Sequence, residues 1–323
     1  MIFRGTLTVL VFAASFSLGQ AQRAFAQYIN CDFSNNLMYV NAPTAGGTLS
    51  FFAHTGGGSF LLGERARRAG IKPIADESGN LFVDMDVLLG QAGLPMSGHT
   101  EALMLPAAEG DLECGADGTL GQNWFSQHVW SIDFPGQQLS CYQPALSAEG
   151  EYTLPITFKQ DENGRRLSHL PVMKIEIDGM ALPFILDTGA KLLPTADAAE
   201  LMGYNPLMNM PVATSFIAES ILEQWEAAHP DWRVIEHADQ ELGNVKLMEV
   251  PAISVAGQEV GPVWFCSRSD EHYLVYASRY TDRPVVGALG GSALQHFKVT
   301  LDYPNALAKF EKYTITGRHL AAR

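Results

Sequence analysis

The amino-acid sequence predicts an all-β protein of two pseudo-symmetric lobes, with a few short helices and a helical insertion in the second lobe. Three observations predict this architecture. The two halves of the chain repeat one another, short apolar runs alternate with glycine-containing turns, and helical periodicity is confined to short stretches. The 323 residues are 47% hydrophobic and 17% charged, which suits a chain with a sizeable core. We expect each lobe to form a closed or partly open β-barrel.

The later part of each half gives the clearest repeat. At a constant offset of 169 positions, Gly118-Thr119-Leu120-Gly121 matches Gly287-Ala288-Leu289-Gly290, and Ile132-Asp133-Phe134-Pro135 matches Leu301-Asp302-Tyr303-Pro304. Glycine, leucine, aspartate and proline stay in register over 18 positions. Such a match predicts a duplicated structural unit.

The earlier part of each half repeats at an offset of 133 positions. Asp187-Thr188-Gly189 falls on His54-Thr55-Gly56, and Gly203 falls on Gly70. Each unit is therefore predicted to contain an apolar strand, a Thr-Gly turn, a short helix that ends at a glycine, and a closing strand. We match the helical stretch at 61–69 with that at 194–202. The two offsets differ by 36 residues, which predicts an insertion in the second half, with a helix over 215–228.

The chain divides into four segments. Residues 1–26 predict a secretory signal, because Arg4 precedes an apolar run over 7–18 and Ala24-Phe25-Ala26 suits cleavage. The apolar run has about 12 residues, whereas a membrane span needs about 20. We expect a periplasmic or extracellular protein with no membrane attachment after signal removal. Residues 27–143 are assigned to the first lobe, 144–153 to a linker and 154–323 to the second lobe.

Charge and cysteine content limit the partners. The chain carries 35 acidic against 21 basic residues, a net charge of −14 at pH 7, so nucleic acid is not an expected partner. The spacing of its four cysteines matches no zinc pattern, and we expect no metal and no cofactor. In an exported chain these cysteines can pair in three ways. We favour a bridge from Cys31 to Cys114 or Cys141, with Cys266 free.

One motif indicates a function. Three apolar residues, Phe184-Ile185-Leu186, lead into Asp187-Thr188-Gly189-Ala190, which places a carboxylate at the mouth of a turn. A second segment, Val285-Val286-Gly287-Ala288-Leu289-Gly290, follows downstream. The first segment resembles the active-site loop of the aspartic peptidases, both retropepsin-like and pepsin-like, and the second resembles the strand that closes that loop. The resemblance implies the bilobal fold of that superfamily over most of residues 35–313.

The resemblance also implies a mechanism and exposes a departure from it. In that superfamily two carboxylates face each other across the lobes, share one proton and activate a water molecule. Here the register places His54 where the first-lobe aspartate is expected. Three hypotheses follow. In the first, a His54–Asp187 pair acts in a monomer, with a pH optimum above the acid range. In the second, Asp187 pairs with a second Asp187 in a homodimer. In the third, an inactive cleft binds peptide without cutting it.

We favour an exported aspartic-type endopeptidase that acts as a monomer on peptide or protein substrates, with Asp187 as the acid/base and His54 as its cross-lobe partner. Other residues are expected to shape the two loops and the substrate cleft: Thr55, Gly56, Thr188, Gly189, Ala190, Gly118 and Gly287.

Several other polar and aromatic residues receive structural assignments. Asp133 and Asp302 each precede an aromatic-Pro turn, which they are predicted to cap. His272 is assigned to a polar loop. The resemblance implies a hairpin over the cleft, for which residues 81–87, with Phe82 at the tip, are the candidate.

Overall fold

The computed structural model describes residues 26–98, 101–105 and 115–313. All of the predicted signal segment except Ala26 lies outside these ranges, and so does Cys114. In the part of the chain that the structure describes, no helix has both the length and the apolar character needed to cross a bilayer.

The described part of the first half contains short strands and three short helices. In chain order they are β1 (Gln27–Ile29), β2 (Cys31–Ser34), β3 (Leu37–Thr44), β4 (Gly47–Ala53), β5 (Phe60–Leu62), α1 (Gly63–Arg68), β6 (Ile74–Ala75), β7 (Leu81–Asp84), α2 (Met85–Gln91), β8 (Glu101–Leu105), β9 (Gly118–Leu120), α3 (Gln122–Phe125), β10 (Val129–Asp133) and β11 (Gln138–Cys141).

The second half repeats this pattern with additional elements. In chain order they are β12 (Thr153–Pro155), β13 (Val172–Ile177), β14 (Met180–Leu186), β15 (Lys191–Leu192), α4 (Ala196–Leu201), a 3₁₀ turn (Pro206–Met208), β16 (Val212–Ala213), β17 (Ser215–Ala218), α5 (Glu219–Ala228), β18 (Arg233–Ile235), β19 (Leu247–Val250), β20 (Ile253–Val255), β21 (Gln258–Val260), β22 (Val263–Arg268), a π-helical turn (Glu271–Tyr276), a 3₁₀ turn (Ala277–Tyr280), β23 (Gly287–Leu289), α6 (Gly291–Leu294), β24 (Phe297–Asp302) and β25 (Leu307–Lys312).

Three large sheets build two lobes on a shared base. The first lobe has the order β2-β3-β4-β9-β5-β8-β7-β6, and the second has β18-β19-β22-β17-β23-β14-β13-β20-β21. The third sheet, β1-β11-β10-β24-β25-β12, takes strands from both halves. The predicted all-β, two-lobed fold with few short helices is therefore confirmed.

The strand that leads into each Thr-Gly loop is paired in the same way in both lobes. In the first lobe β4 runs parallel to β9, with Ala53 opposite Leu120, and β9 is antiparallel to β5. In the second lobe β14 runs parallel to β23, with Leu186 opposite Leu289, and β23 is antiparallel to β17. The pairing of β4 with β9 and of β14 with β23 is the one expected from the two sequence offsets.

The helices do not follow the predicted equivalence. Helix α1 comes after β5, and its topological counterpart is α5, which comes after β17; α4 precedes β17 instead. Matching 61–69 with 194–202 was therefore wrong, although α1 and α4 both stop before a left-handed glycine, Gly70 and Gly203. The additional segment between the loop and β17 is 191–213, which holds β15, α4, a 3₁₀ turn and β16.

The predicted helix over 215–228 begins later than expected. Residues Ser215–Ala218 form β17, a strand with all four residues buried between β22 and β23. A strand covered on both faces loses the polar alternation that identifies strands in a sequence. The helix proper, α5, packs through Leu222 and Trp225.

In the shared sheet, equivalent strands of the two halves pair with each other. Strand β10 pairs antiparallel with β24, and Ser131 lies opposite Thr300, its own counterpart at the 169-residue offset. At the end of these strands the Gly136 N–H donates to Oδ1 of Asp133 at 2.8 Å, and the Asn305 N–H donates to Oδ1 of Asp302 at 3.0 Å. The predicted turn-capping role of the two aspartates is confirmed.

The core runs through both lobes and the shared sheet, and it encloses thiols. Its largest fully buried side chains include Trp124, Trp130, Trp225, Tyr303, Phe184 and Phe265. Among the described cysteines, Cys31, Cys141 and Cys266 form no disulfide with one another, so the Cys31–Cys141 alternative is absent, whereas the Cys31–Cys114 alternative lies outside the described residues. Burial raises the pKa of both Cys31 and Cys141 to about 12, which keeps these thiols protonated and unreactive.

Candidate active site

The two loops leave the ends of equivalent strands and are held there by equivalent bonds. The His54 N–H donates to the Leu120 carbonyl at 2.9 Å, and the Asp187 N–H donates to the Leu289 carbonyl at 2.9 Å. Each residue therefore occupies the first position after an apolar strand, tied to the closing strand of its own lobe. Because the two lobes face each other, both side chains are brought to one point.

Two threonines lock the loops together across the lobe interface. The Thr55 N–H donates to Thr188 Oγ1 at 3.1 Å, and the Thr188 N–H donates to Thr55 Oγ1 at 3.0 Å. The Thr55 hydroxyl donates to the Leu186 carbonyl at 2.8 Å, and the Thr188 hydroxyl donates to the Ala53 carbonyl at 2.9 Å. Both threonines are fully buried. The reciprocal bonds fix the separation of the loops, because losing one partner leaves buried backbone groups unsatisfied.

His54 and Asp187 are in direct contact. Nε2 of His54 lies 2.9 Å from Oδ1 of Asp187, and the side chains are 22% and 10% exposed. The Gly189 N–H also donates to Asp187 Oδ1, at 2.8 Å. Burial alone would raise the pKa of the Asp187 carboxyl, but the charge and hydrogen bond of His54 and the N–H groups of Gly189 and Gly56 outweigh it and lower that pKa. The lowered pKa keeps the Asp187 carboxylate ionised beside the His54 ring.

Glycine is required next to both side chains. A Cβ on Gly56 would overlap the Asp187 carboxylate, and a Cβ on Gly189 would overlap the His54 ring. Gly118 and Gly287 lie in the closing strands, where a Cβ would overlap the carbonyl oxygens of Phe60 and Phe216 on the neighbouring strands. These glycines allow the backbones to approach closely.

The predicted site residues fall into two groups. His54, Gly56, Asp187 and Gly189 border the cavity between the lobes. The remaining ones, Thr55, Thr188, Ala190, Gly118 and Gly287, are buried and support the loops from below. The Ala190 carbonyl accepts from the Thr214 N–H at 2.9 Å, which ties the second loop to the body of its lobe.

The cavity has a volume of about 650 Å³, which is within the range of small-molecule and peptide side-chain pockets. Among its described residues, the first lobe contributes its loop and Gln122. The second lobe supplies the other walls: Leu170, Ile185, Asp187, Gly189, Lys191, Phe216, Glu241, Arg268, His272, Tyr273, Tyr276, Ala277, Tyr280 and Ala288.

Sequence reasoning missed the segment that forms much of the second-lobe wall. Residues 268–280 bring Arg268, Tyr273, Tyr276 and Tyr280 to the cavity. The tyrosines follow one another at three and four residues, a helical spacing that predicts one aromatic face. His272, assigned to a polar loop, lies on the π-helical turn and also borders the cavity.

The predicted flap is not found at the predicted place. Phe82 lies within β7, paired with Ile74 on one side and Leu103 on the other, and it is not a cavity-lining residue. The alternation of residues 81–84 comes from an ordinary strand near the sheet edge, whose residue Asp84 caps helix α2. In the described part of the chain, no three His, Cys, Asp or Glu side chains gather in a group that could hold a metal ion.

Two solved structures are similar to this chain at 12% sequence identity. No protein-family model matches the chain, and no curated protein matches it in sequence. An aspartic proteinase from Irpex lacteus is similar in structure, with 12% identity, a TM-score of 0.49, and coverage of 90% of this chain and 98% of that one. A retropepsin-like aspartic protease from Rickettsia conorii is similar over 49% of this chain and 90% of its own, with 12% identity and a TM-score of 0.28.

Proposed function

We propose that this chain is an aspartic-type endopeptidase that hydrolyses peptide bonds in the cavity between its lobes. The observation that carries the proposal is the His54–Asp187 pair, 2.9 Å apart at the cavity base and held by reciprocal threonine bonds. Such a site combines a base, a proton donor and a rigid support, which are the parts that water-dependent acyl hydrolysis needs.

In the proposed mechanism Asp187 acts as the base. Its carboxylate takes a proton from a water molecule, and the water oxygen attacks the peptide carbonyl carbon. The His54 imidazolium donates a hydrogen bond to the carbonyl oxygen and stabilises its developing negative charge. The proton on Asp187 then passes to the peptide nitrogen, the C–N bond breaks, and an acid and an amine leave. This transfer returns Asp187 to its carboxylate form.

The electrostatics favour this division of roles. The pKa of Asp187 is lowered despite burial, so the base form persists into the acid range. A neutral Asp187 with His54 as the base agrees less well with that direction. Because imidazole changes charge between about pH 5 and pH 8, we expect activity to peak above the range of a two-carboxylate site.

We also propose that the protein is exported and acts as a monomer. Export rests on the signal-like pattern of residues 1–26. In a homodimer a second Asp187 would have to occupy the place beside Asp187, and His54 of the same chain fills that place. Gel filtration tests the monomer, and cell fractionation tests the export.

The central test compares two isosteric substitutions. Asp187→Asn should lower kcat/KM on a casein-derived peptide by about 10²–10⁴-fold, the usual cost of losing a general acid–base group. Asp133→Asn is the matched control, since Asp133 caps a turn and does not border the cavity. It should leave kcat/KM unchanged. Equal activity in Asp187→Asn and wild type would end the catalytic proposal.

A peptide-binding protein without turnover is the second candidate, because the 2.9 Å contact engages the two side chains with each other. It predicts that wild type binds peptide but does not cut it, and that His54→Asp gains cleavage. The peptidase proposal predicts instead that wild type cuts and that His54→Asp moves the pH optimum to lower pH.

A further inference from the structure

Arg268 is a cation built into the cavity wall. It ends strand β22, borders the cavity, and has a side chain only 14% exposed. The proposed reaction assigns it no role. Burying an arginine costs desolvation energy unless its N–H donors form hydrogen bonds or ion pairs. The contacts of Arg268 therefore indicate its role.

Contacts within the protein use only some of the N–H donors of the Arg268 guanidinium. Nη1 donates to the Ser267 carbonyl at 2.9 Å and lies 3.0 Å from the Cys266 sulfur, while Nη2 lies 3.6 Å from Oδ2 of Asp239. The guanidinium carbon sits 4.0 Å from the centre of the Phe216 ring. A guanidinium has five N–H donors; two of them donate in the hydrogen bonds of Nη1, and a third faces Asp239 at a distance longer than a hydrogen bond. The other two have no acceptor among the residues that the structure describes.

These contacts also hold the guanidinium rigidly. Phe216 and Asp239 are both buried, and the aromatic face and the carboxylate restrain the planar group in one orientation. A fixed, partly desolvated guanidinium with two remaining donors suits a planar carboxylate, to which arginine binds through two parallel hydrogen bonds.

Few anions compete for Arg268 inside the cavity. Asp187 is paired with His54, and Glu241 is exposed. Besides His54, the other basic side chains that border the cavity with Arg268 are Lys191 and His272. Burial and the charge of Arg268 lower the pKa of His272, so its imidazole is neutral near pH 7.

We propose that Arg268 is a specificity residue that binds a carboxylate of the substrate, with Phe216 and Tyr273 forming the apolar floor beneath it. Tyr273 connects this position to the reaction site. Its hydroxyl pKa is raised by burial and by the Asp187 carboxylate, and Arg268 opposes that shift, so the tyrosine lies within electrostatic reach of both. The role in selecting substrates for cleavage rests on the proposed function, whereas the binding of a carboxylate does not.

The carboxylate has two chemical sources, a Glu or Asp side chain within the peptide or the α-carboxylate at its end. A set of amidated octapeptides with one Glu moved along a neutral sequence, each matched with its Gln counterpart, tests the first source. The same neutral peptides with free C-termini test the second. Affinity is measured by fluorescence anisotropy with the Asp187→Asn protein, which removes turnover. We expect one register, internal or terminal, to bind about tenfold or more tightly than its neutral counterpart.

Substitutions at Arg268 test whether this residue causes the preference for a carboxylate. Replacing Arg268 alone would strand the buried Asp239 carboxylate, so Arg268→Gln is combined with Asp239→Asn, which can still accept the bond from the Glu241 N–H. The preference should disappear in this double variant and persist in part in Arg268→Lys. Arg279→Gln is the control, since Arg279 belongs to the same segment but does not border the cavity. Thermal melting checks that each variant is folded.

The two proposals can fail separately. An equal Glu preference in the double variant, or no carboxylate preference in the parent protein, would overturn the role of Arg268. A carboxylate preference that depends on Arg268, in a protein whose wild type does not cut peptides, supports the binding role and contradicts only the peptidase proposal.

Discussion

The two loops at the base of the cavity have the same backbone and opposite chemistry. In both, a threonine N–H donates to the hydroxyl of the other threonine, at 3.1 and 3.0 Å, and both hydroxyls donate to the carbonyl one residue before the other loop. Yet one loop presents an imidazole and the other a carboxylate. The backbone positions are constrained by each other, whereas the side chains at 54 and 187 face the open cavity and are free to differ.

The lobes differ in the same sense around the cavity. The first lobe contributes glycines and Gln122, and the second contributes an arginine, a lysine and an aromatic wall. The comparison teaches that duplication preserved the parts that hold the loops, while the groups that would meet a substrate diverged. Two kinds of substitution test this separation: matched changes at equivalent positions of the two lobes, and changes at the positions where the lobes differ.

The largest expected effect, and the strongest test that the two loops are equivalent, comes from the two glycines beside the His54–Asp187 pair. Gly56→Ala and Gly189→Ala should each lower kcat/KM by about 100-fold or more, because the new Cβ displaces Asp187 or His54 by a distance that such chemistry does not tolerate. Steady-state peptide cleavage measures the effect.

Gly58→Ala is the control for these variants, because a Cβ there meets only the Phe60 ring at ordinary contact distances of 3.6 and 3.8 Å. If one of the two loop variants kept full activity, the loops would not be equivalent in the way described.

Substitutions of Thr55 and Thr188 test whether the two threonines contribute equally to stability. Thr55→Val and Thr188→Val should each lower the free energy of unfolding by about 2–4 kcal/mol, since each leaves a buried N–H and a buried carbonyl without a partner. Thr→Ser at either position keeps the hydroxyl and should cost clearly less. Chemical denaturation compares all four variants, and similar losses for Val and Ser would show that packing, not hydrogen bonding, dominates.

The smallest expected effect concerns pH, where the loops are chemically unlike. The pKa of Asp187 is lower in the folded than in the unfolded protein, so the pair stabilises the fold above the unfolded value of about 3.9 and loses this contribution as pH falls through the folded pKa. The stability difference between wild type and Asp187→Asn should therefore shrink as the pH falls below the unfolded value of about 3.9. In a His54→Gln background that pH dependence should weaken, and an unchanged dependence would contradict the contribution of His54 to the lowered Asp187 pKa.

Much of the framework could be predicted from sequence because it depends on residues with few substitutes. The glycines and threonines of both loops recur at fixed offsets, and the strand partners follow from them. The helix equivalence failed because β17 is buried on both faces and has no alternating pattern. The insertion was therefore placed over a strand that belongs to the repeated unit.

The cavity walls were less accessible to sequence reasoning. Arg268 is 81 residues from Asp187 in the chain, and nothing local distinguishes it from a surface arginine. Its meaning depends on Phe216 and Asp239, which reach it only through tertiary packing. The flap prediction failed for a related reason, since the short alternating run around Phe82 fits any half-buried strand.

The pairing of Ser131 with Thr300 has a consequence for how such a site could arise. Strands that meet at corresponding positions adopt the register of two identical protomers around a twofold axis. In an assembly of identical protomers every substitution appears twice, so a histidine at one loop would bring a histidine to the other. Fusion of both copies into one polypeptide removes that restriction, and an imidazole facing a carboxylate is an arrangement that only the fused form can encode.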